Sequence, residues 1–472
     1  KIKRTFLPLF FRTMASSRVT LVTPVNVRGM KILDREKFLR NLEVPILKVT
    51  AATLGSIIPL CKAYLLKLEQ FKPVCDLDSS EDSVFNKYIC LNPDIISEWT
   101  DINEKDRQKM KQLNVDENNF SKKQIQLKYD NWKYEHIFKA VLPEDEESVS
   151  GFTQIGHIIH LNLKPNLLEY RTIIGQVLID KIKTCRTVVN KCNAIDNTYR
   201  NFEMEVIAGE EDFFVTVKEN NVIFQFDFSS VYWNSRLGKE HERILSFLTP
   251  GDVLFDIFCG VGPFALPALK KKCTVFANDL NPDCYKWLNH NARNIKDKTL
   301  RPAFYSYNRD GKDFICTIFK DYITELCEGT TNLEKTAKIH ITMNLPAIAV
   351  TFLKYFKGLI NEDVAKNLRN QIIVYVYCFV SDSNVDSAKQ LVIDNLGSQV
   401  NYEILDVFNV RHVAPKKKMM RVTLKLNSAL LSDKSVFESE EPPSKKMCVE
   451  HIDFSKKNNE SKILTTIFVT GK

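Results

Sequence analysis

An α/β fold built on a doubly wound, mostly parallel sheet is what the sequence predicts for residues 231–427, preceded by a mixed α/β middle domain and a small N-terminal α/β module. Three observations carry this. A strand, glycine turn, helix and second strand run through DVLFDIFCGVGPFALPALKKKCTVFANDLNP (252–282). Further apolar strand runs then alternate with helical stretches. Asp279, Asp310 and Asn344 each fall just after such a strand, where open α/β sheets bind their ligands.

Residues 253–258 are almost wholly apolar, as a strand buried on both faces requires. Gly260 and Gly262 follow, and a turn without Cβ atoms lets the backbone approach a ligand closely. Pro263 suits a first helical turn, a helix is expected over 264–271, and a second strand over 274–277 ends in Asn278 and Asp279. A carboxylate at that point can accept hydrogen bonds from ribose hydroxyls. Ala265 stands where a dinucleotide fingerprint has its third glycine. With Asp256 and Asp279 paired, the motif favours an adenosine-bearing ligand without a pyrophosphate, which suggests S-adenosyl-L-methionine. The competing reading is a structural turn in some other α/β protein.

At 472 residues the chain exceeds one core, and its 44% hydrophobic content is that of a globular protein. The longest apolar run, 372–380, is too short to cross a bilayer, so no membrane partner is expected. A net charge of +8 is compatible with a polyanionic partner. The 12 cysteines form no C-x-x-C pair and no zinc spacing, so reduced thiols and no metal site are expected.

In chain order, residues 1–33 are basic, hydroxylated and free of acids, like a mitochondrial presequence or a basic disordered end. Met14 offers a start for a shorter form, so dual delivery to the mitochondrial matrix and to the nucleus and cytoplasm is expected. Residues 34–127 read as an N-terminal module, with a strand near 46–49 and a helix over 60–71, followed from 76 by a polar helical linker. Residues 128–230 form the middle α/β domain, with a strand over 155–163 carrying His157 and His160, and a hairpin turning at 219–221. Residues 428–472 read as a disordered tail.

SGFTQIGHIIHLNL, NTYRNFEMEVIAGE, VYWNSRLGKEHERI, DIFCGVGPF, FANDLNP, RDGKDF, MNLPAIAVTFL and VRHVAPKKKMMRV occur in this order. Together they resemble the eukaryotic and archaeal tRNA (guanine(37)-N1)-methyltransferases, the class I kind with a Rossmann-type core, over about residues 34–427. The resemblance implies methyl transfer from S-adenosyl-L-methionine to N1 of guanosine 37, 3′ to the anticodon of tRNA, in support of reading-frame maintenance. It implies that the N-terminal module touches the outer corner of the tRNA and the middle domain the anticodon arm. Cytosolic and mitochondrial tRNAs are both expected substrates, and a monomer is the expected form. Ser235 and Cys259 depart from residues common in the family, and neither position supplies a reacting group.

N1 of guanine carries a proton, so the reaction needs a base, a cation for charge moving onto O6, and in-line positioning. Glu240, opening the helix HERILSFL, is the candidate base; it also suits the helix dipole. Arg200 is the candidate cation for O6. Asn344 offers an amide to the purine edge or the methionine moiety, or caps a helix. Asp279 and Leu280 are expected to hold ribose and adenine, Asp310 and Gly311 the adenine amino edge, and Gly260 and Gly262 the close backbone approach. The resemblance puts His241 near the cofactor, and Tyr232 is expected beside cofactor or target base. For the tRNA, Arg200, Asn281, Arg411, Lys416, Lys417 and Lys418 are the candidate contacts, with His412 and Arg421 in the same basic run. A related group within this resemblance moves the aminocarboxypropyl arm of the cofactor instead of its methyl. A non-catalytic tRNA-binding module is the reading from another class.

Overall fold

The computed structural model describes residues 21–77, 85–144, 149, 151–192, 203–381, 385–397, 401–414 and 416–433. Arg200, the greater part of the basic N-terminal segment and the tail from 434 lie outside these residues.

The N-terminal module comprises β1 (Arg40–Val49), α1 (Ala51–Cys61), β2 (Val74–Asp76), β3 (Lys87–Cys90), α2 (Glu104–Gln112) and β4 (Phe120–Leu127). Its antiparallel sheet runs β2-β3-β1-β4. What reads as a polar linker after 76 therefore completes a sheet. β4 pairs with β1 from Arg40↔Leu127 to Leu47↔Phe120, and its polar residues occupy a solvated face. The helix expected over 60–71 ends instead at Cys61, just after Pro59, whose ring removes an amide donor.

Residues 22–33 are also part of the fold. Val27 N donates to Ala140 O at 3.1 Å and Gly29 N to Val141 O at 2.8 Å. Val22, Val27, Met30 and Leu33 pack on the core that the first two units share. A removable leader reaching to residue 33 would strip this packing, so any leader must be shorter.

The middle unit comprises α3 (Tyr134–Val141), β5 (Thr153–Ile155), β6 (Ile158–Leu161), α4 (Arg171–Lys181), β7 (Thr187–Lys191) and β8 (Met204–Gly209), in the order β5-β6-β7-β8. The single strand expected over 155–163 is two short strands joined at Gly156 and His157. His157 Nε2 sits 3.0 Å from the Asp212 carbonyl, and burial pushes the His160 imidazole down to about 4.

A hairpin follows, β9 (Phe214–Glu219) and β10 (Val222–Asp227), turning through Asn220 and Asn221, both with positive φ. Read as the end of the middle domain, it packs both on Ile155, Ile158 and Val189 of that unit and on the next one. Gln225 N donates to Asn291 Oδ1 at 2.8 Å, and the Phe214 ring lies 5.6 Å from Trp287. Val215, Phe224 and Phe226 share a core with Leu254, Val275 and Leu288. The hairpin thus bridges the two units.

The last unit comprises α5 (Gly238–Phe247), β11 (Val253–Asp256), α6 (Ala265–Lys270), β12 (Thr274–Asn278), α7 (Pro282–Arg293), β13 (Phe304–Tyr307), α8 (Gly311–Phe314), α9 (Lys320–Glu328), β14 (Ile339–Met343), β15 (Ile372–Val380), β16 (Tyr402–Ala414) and β17 (Lys417–Leu426). The sheet order is β13-β12-β11-β14-β15-β17-β16. The first five strands are parallel, and β17 runs antiparallel between β15 and β16. Order reverses at β11, which puts the crevice at its carboxyl end. The basic run 411–421 is the end of the β16–β17 hairpin rather than a loop. Residues 428–433 belong to the core and not to a tail, since Leu430 and Leu431 are buried and their carbonyls accept from Gly358 and Ile360.

At the opposite, amino end of the sheet, buried Asp252 accepts from Thr249 N at 2.7 Å and Lys338 N at 2.8 Å, with His340 Nε2 at 3.3 Å. Removing that carboxylate strands several buried donors. Asp252→Ala is expected to lose about 3 kcal/mol in denaturant unfolding, with cofactor affinity unchanged below the melting transition. A loss under about 1 kcal/mol would contradict this anchor.

Candidate active site

The glycine turn, the ends of β12 and β13 and the start of α5 meet at the carboxyl end of β11. Asn278 fixes this rim. It is fully buried, donates to Ile257 O at 3.1 Å and Arg309 O at 3.0 Å, and accepts from Arg309 N at 3.0 Å. Three strand ends are thereby stapled in one plane. Asn308 Nδ2 adds bonds to the carbonyls of Asp279 and Leu280, at 2.8 and 3.0 Å. Neither amide stood out in the sequence, because their partners come from loops far apart in the chain.

Asp279 accepts from Gly260 N at 2.8 Å and Asn281 N at 2.9 Å, which orients its carboxylate over the turn. Burial raises its proton affinity, and these two bonds oppose the rise. Asp256 is wholly buried. Burial pushes its carboxyl up to about 7; the Thr342 hydroxyl, donating at 2.8 Å, opposes this and the Asp279 charge adds to it. Its Oδ2 has no hydrogen-bond partner. Two acids and an orphaned carboxylate oxygen form a site short of positive charge.

The two glycines differ in role. Gly260 has φ +54°, and a Cβ built on it would meet open space. Gly262 has φ +96°, and a Cβ would lie 2.7 Å from Leu288 and 2.9 Å from Leu266. The first leaves room for a ligand; the second allows α6 and α7 to pack and does not face the crevice as expected. Gly311 is likewise a packing glycine, filled over by the rings of Phe258 and Phe352. Asp310 is exposed and caps α8 through Lys312 N at 2.8 Å. Leu280 is 40% exposed, an apolar wall beside Asp279. These features fit S-adenosyl-L-methionine. Asp279 is available to ribose hydroxyls, Leu280 to adenine, the open face of Gly260 to a close-lying chain, and the orphaned Asp256 oxygen to a nearby cation.

Asn344 leaves β14 half-buried, and the short helix after it begins only at Ala349. It caps nothing, so its amide is free for a ligand. Asn281 is buried and spent: its side chain caps α7 through Asp283 N at 2.9 Å and donates to Ser230 O at 3.0 Å. Both polar atoms are engaged within the fold and the residue is 4% exposed, which tells against the expected contact with tRNA. His241 is buried, its Nδ1 2.6 Å from Glu219 Oε1 on the hairpin and its ring 4.6 Å from Phe264 beside the turn. Tyr232 is exposed and its hydroxyl accepts from Asn234 at 3.2 Å.

Glu240 is only 3% exposed. Its Oε1 accepts from the Tyr377 hydroxyl at 3.0 Å and from Arg421 Nη1 at 2.7 Å, and its Oε2 from Arg243 Nη1 at 2.8 Å. Tyr377 and Arg421 are cross-strand partners on β15 and β17. Arg421 is 1% exposed and also reaches Asp406 at 2.9 Å. It is therefore an internal ion-pair partner and not a phosphate contact. The signal for this was present: an arginine within the apolar strand run MMRVTL is costly to bury without an anion. Burial, with the Glu240 charge adding, pushes the Tyr377 phenol well above its ordinary value, so it serves as a donor. The Tyr377 ring lies 6.4 Å from Phe264, which ties Glu240 to the glycine turn. Arg411, half-buried near Asn234, and the exposed Lys416 and Lys417 line the outer hairpin with Lys418.

Gly260→Ala is expected to melt within a few degrees of the parent yet bind cofactor more weakly, whereas Gly262→Ala loses about 2 kcal/mol or more through overpacking. Calorimetric binding and thermal melts separate the two; equal behaviour would contradict the division of roles. Asp256 is held above its unfolded-state value. Its contribution to stability is full below about pH 4 and is lost as pH rises through about 7. Asp256→Asn is therefore expected to melt like the parent at pH 4 but higher than it at pH 8, by a few degrees. An unchanged pH dependence would contradict this.

A family profile described as the TRM5/TYW2 methyltransferase domain matches residues 215–363, beginning at the hairpin, and one described as the TYW2 N-terminal domain matches 134–212. The tRNA (guanine(37)-N(1))-methyltransferase of Drosophila melanogaster is 45% identical over 90% of this chain and 90% of its own length. That of Xenopus tropicalis is 42% identical over 89% and 83%. In overall fold the chain is similar to the crystal structure of Trm5b from Pyrococcus abyssi, at TM-score 0.54 and 20% identity over 81% of this chain and 99% of that one. It is also similar to aTrm5 in its complex with tRNALeu, at TM-score 0.52 and 17% identity over 81% and 100%. At such identities these two likenesses concern the fold alone. With relatives above 40% identity along nine-tenths of its length, the chain belongs to the tRNA (guanine(37)-N(1))-methyltransferase family.

Proposed function

We propose that this protein transfers a methyl group from S-adenosyl-L-methionine to N1 of guanosine 37 in tRNA, with Glu240 as the base. The observation that supports the assignment of Glu240 most is a buried carboxylate linked through the rings of Tyr377 and Phe264 to a glycine turn that fits the cofactor. The cofactor, when bound, supplies an electrophilic methyl on a sulfonium sulfur. The chain's residues do the rest. Glu240 takes the N1 proton, and the electron pair left on the ring becomes the nucleophile. Asp279, Leu280 and the open face of Gly260 orient the cofactor, and the Asn344 amide can read the purine edge. Negative charge that moves onto O6 needs a cation, and Arg200 is our candidate, to be brought in from the middle unit.

The target base cannot react while stacked, so it must be turned out of the anticodon loop. Arg411, Lys416, Lys417 and Lys418 on the outer hairpin suit phosphate contacts. We read the active form as a monomer acting on one tRNA. The basic stretch before residue 22 supports delivery of part of the pool to mitochondria.

Glu240→Gln is expected to lose at least about a hundredfold in single-turnover methylation, with tRNA and cofactor affinities within a few-fold of the parent. Labelled cofactor and unmodified tRNA, followed by mapping and mass analysis of the product, test both parts. A product heavier by an aminocarboxypropyl arm, or an active Glu240→Gln variant, would contradict the reading.

A further inference from the structure

The two oxygens of Glu240 are held in different ways. Oε1 is anchored deep in the sheet by Tyr377 and Arg421. Arg421 is itself locked, with Nε 3.2 Å from Thr423 Oγ1 and Nη2 on Asp406. Neither partner can leave without unpairing a buried charge. Oε2 has one partner, Arg243, whose side chain is 38% exposed and whose guanidinium lies 3.9 Å from the Phe408 ring centre. The guanidinium already rests on the face of that ring, which can keep hold of it when the bond to Oε2 opens.

A carboxylate oxygen can accept two hydrogen bonds; Oε1 already accepts two and Oε2 one, so Oε2 keeps the lone pair that a ligand's proton needs. Glu240 is 3% exposed, and of the partners covering it Arg243 is the one that reaches the surface and can move aside. We infer that Oε2 is the atom that receives the N1 proton, and that Arg243 is a displaceable latch which caps it until the target base enters. The inference rests on the reading of Glu240 as base. In the step, the N1–H bond breaks, its electron pair stays on the guanine ring, and the proton passes to Oε2. Oε1 remains bonded to Tyr377 and Arg421 throughout, so the carboxyl does not rotate. Arg243 is a positioning residue: it acts on the base and not on the substrate.

The charged and titratable groups facing the carboxylate are Arg243 on its own helix, Tyr377 on β15 and Arg421 on β17, with Asp406 on β16 behind Arg421 and Asp256 on β11 behind Tyr377. His241, next in sequence, is turned to Glu219. Taking one cation away from this set makes the carboxylate a stronger base.

The test is the pH dependence of single-turnover methylation by the full-length protein on unmodified tRNA, for the parent, Arg243→Gln and Glu240→Gln. For Arg243→Gln the acid limb of the profile is expected to move to higher pH by about one unit, and the plateau rate to rise about threefold with the stronger base. An acid limb that stays in place overturns the latch. So does a loss confined to KM for tRNA with a shallower salt dependence, since Arg243 would then be a phosphate ligand. The two levels separate cleanly. An active Glu240→Gln variant removes the base itself, whereas an inactive one beside an unmoved limb in Arg243→Gln removes only the latch.

Discussion

Burying the Glu240 carboxylate is possible because Arg421 is buried with it. An isolated charge in this position would be costly to bury; a guanidinium and a phenol hydrogen-bonded to it offset that cost. These contacts join α5 to β15 and β17, so the helix that carries Glu240 is fixed against the antiparallel end of the sheet. The glycine turn lies on the parallel end. The proposed active centre is the seam between them, bridged by Tyr377 and Phe264.

On the parallel side the chemistry depends on strand ends that share one level. Asn278 enforces this through its three bonds, and Asp279 then grips the turn through Gly260. Asp256 sits beneath with one oxygen unsatisfied. The fold carries that deficit of positive charge as a local instability, and a cationic ligand would relieve it. Function here is drawn from groups that the fold alone would rather not bury.

Much of this is legible in the chain itself. DIFCGVGPF and FANDLNP show turn and acid at the end of one βαβ unit, and the strands at 339–343 and 372–380 are buried along almost their whole length. What escaped notice depended on partners distant in sequence. Arg421 looked like one of several surface cations until β17 buried it; Asn278 looked like a strand end until two loops closed on it. The N-terminal sheet was obscured because β3 is short and β4 is polar on one face. Asn281 carried the right chemistry for a substrate contact, but a helix start needs a cap and the amide is used there.

The account stands on one carboxylate oxygen meeting one ring nitrogen. A structure of this protein with tRNA and a demethylated cofactor would measure that distance directly. The expected result is a turned-out guanine with N1 within hydrogen-bonding distance of Glu240 Oε2 and Arg243 parted from that oxygen. A bound guanine whose N1 faces another group, with Glu240 still holding both Arg243 and Arg421, would contradict it.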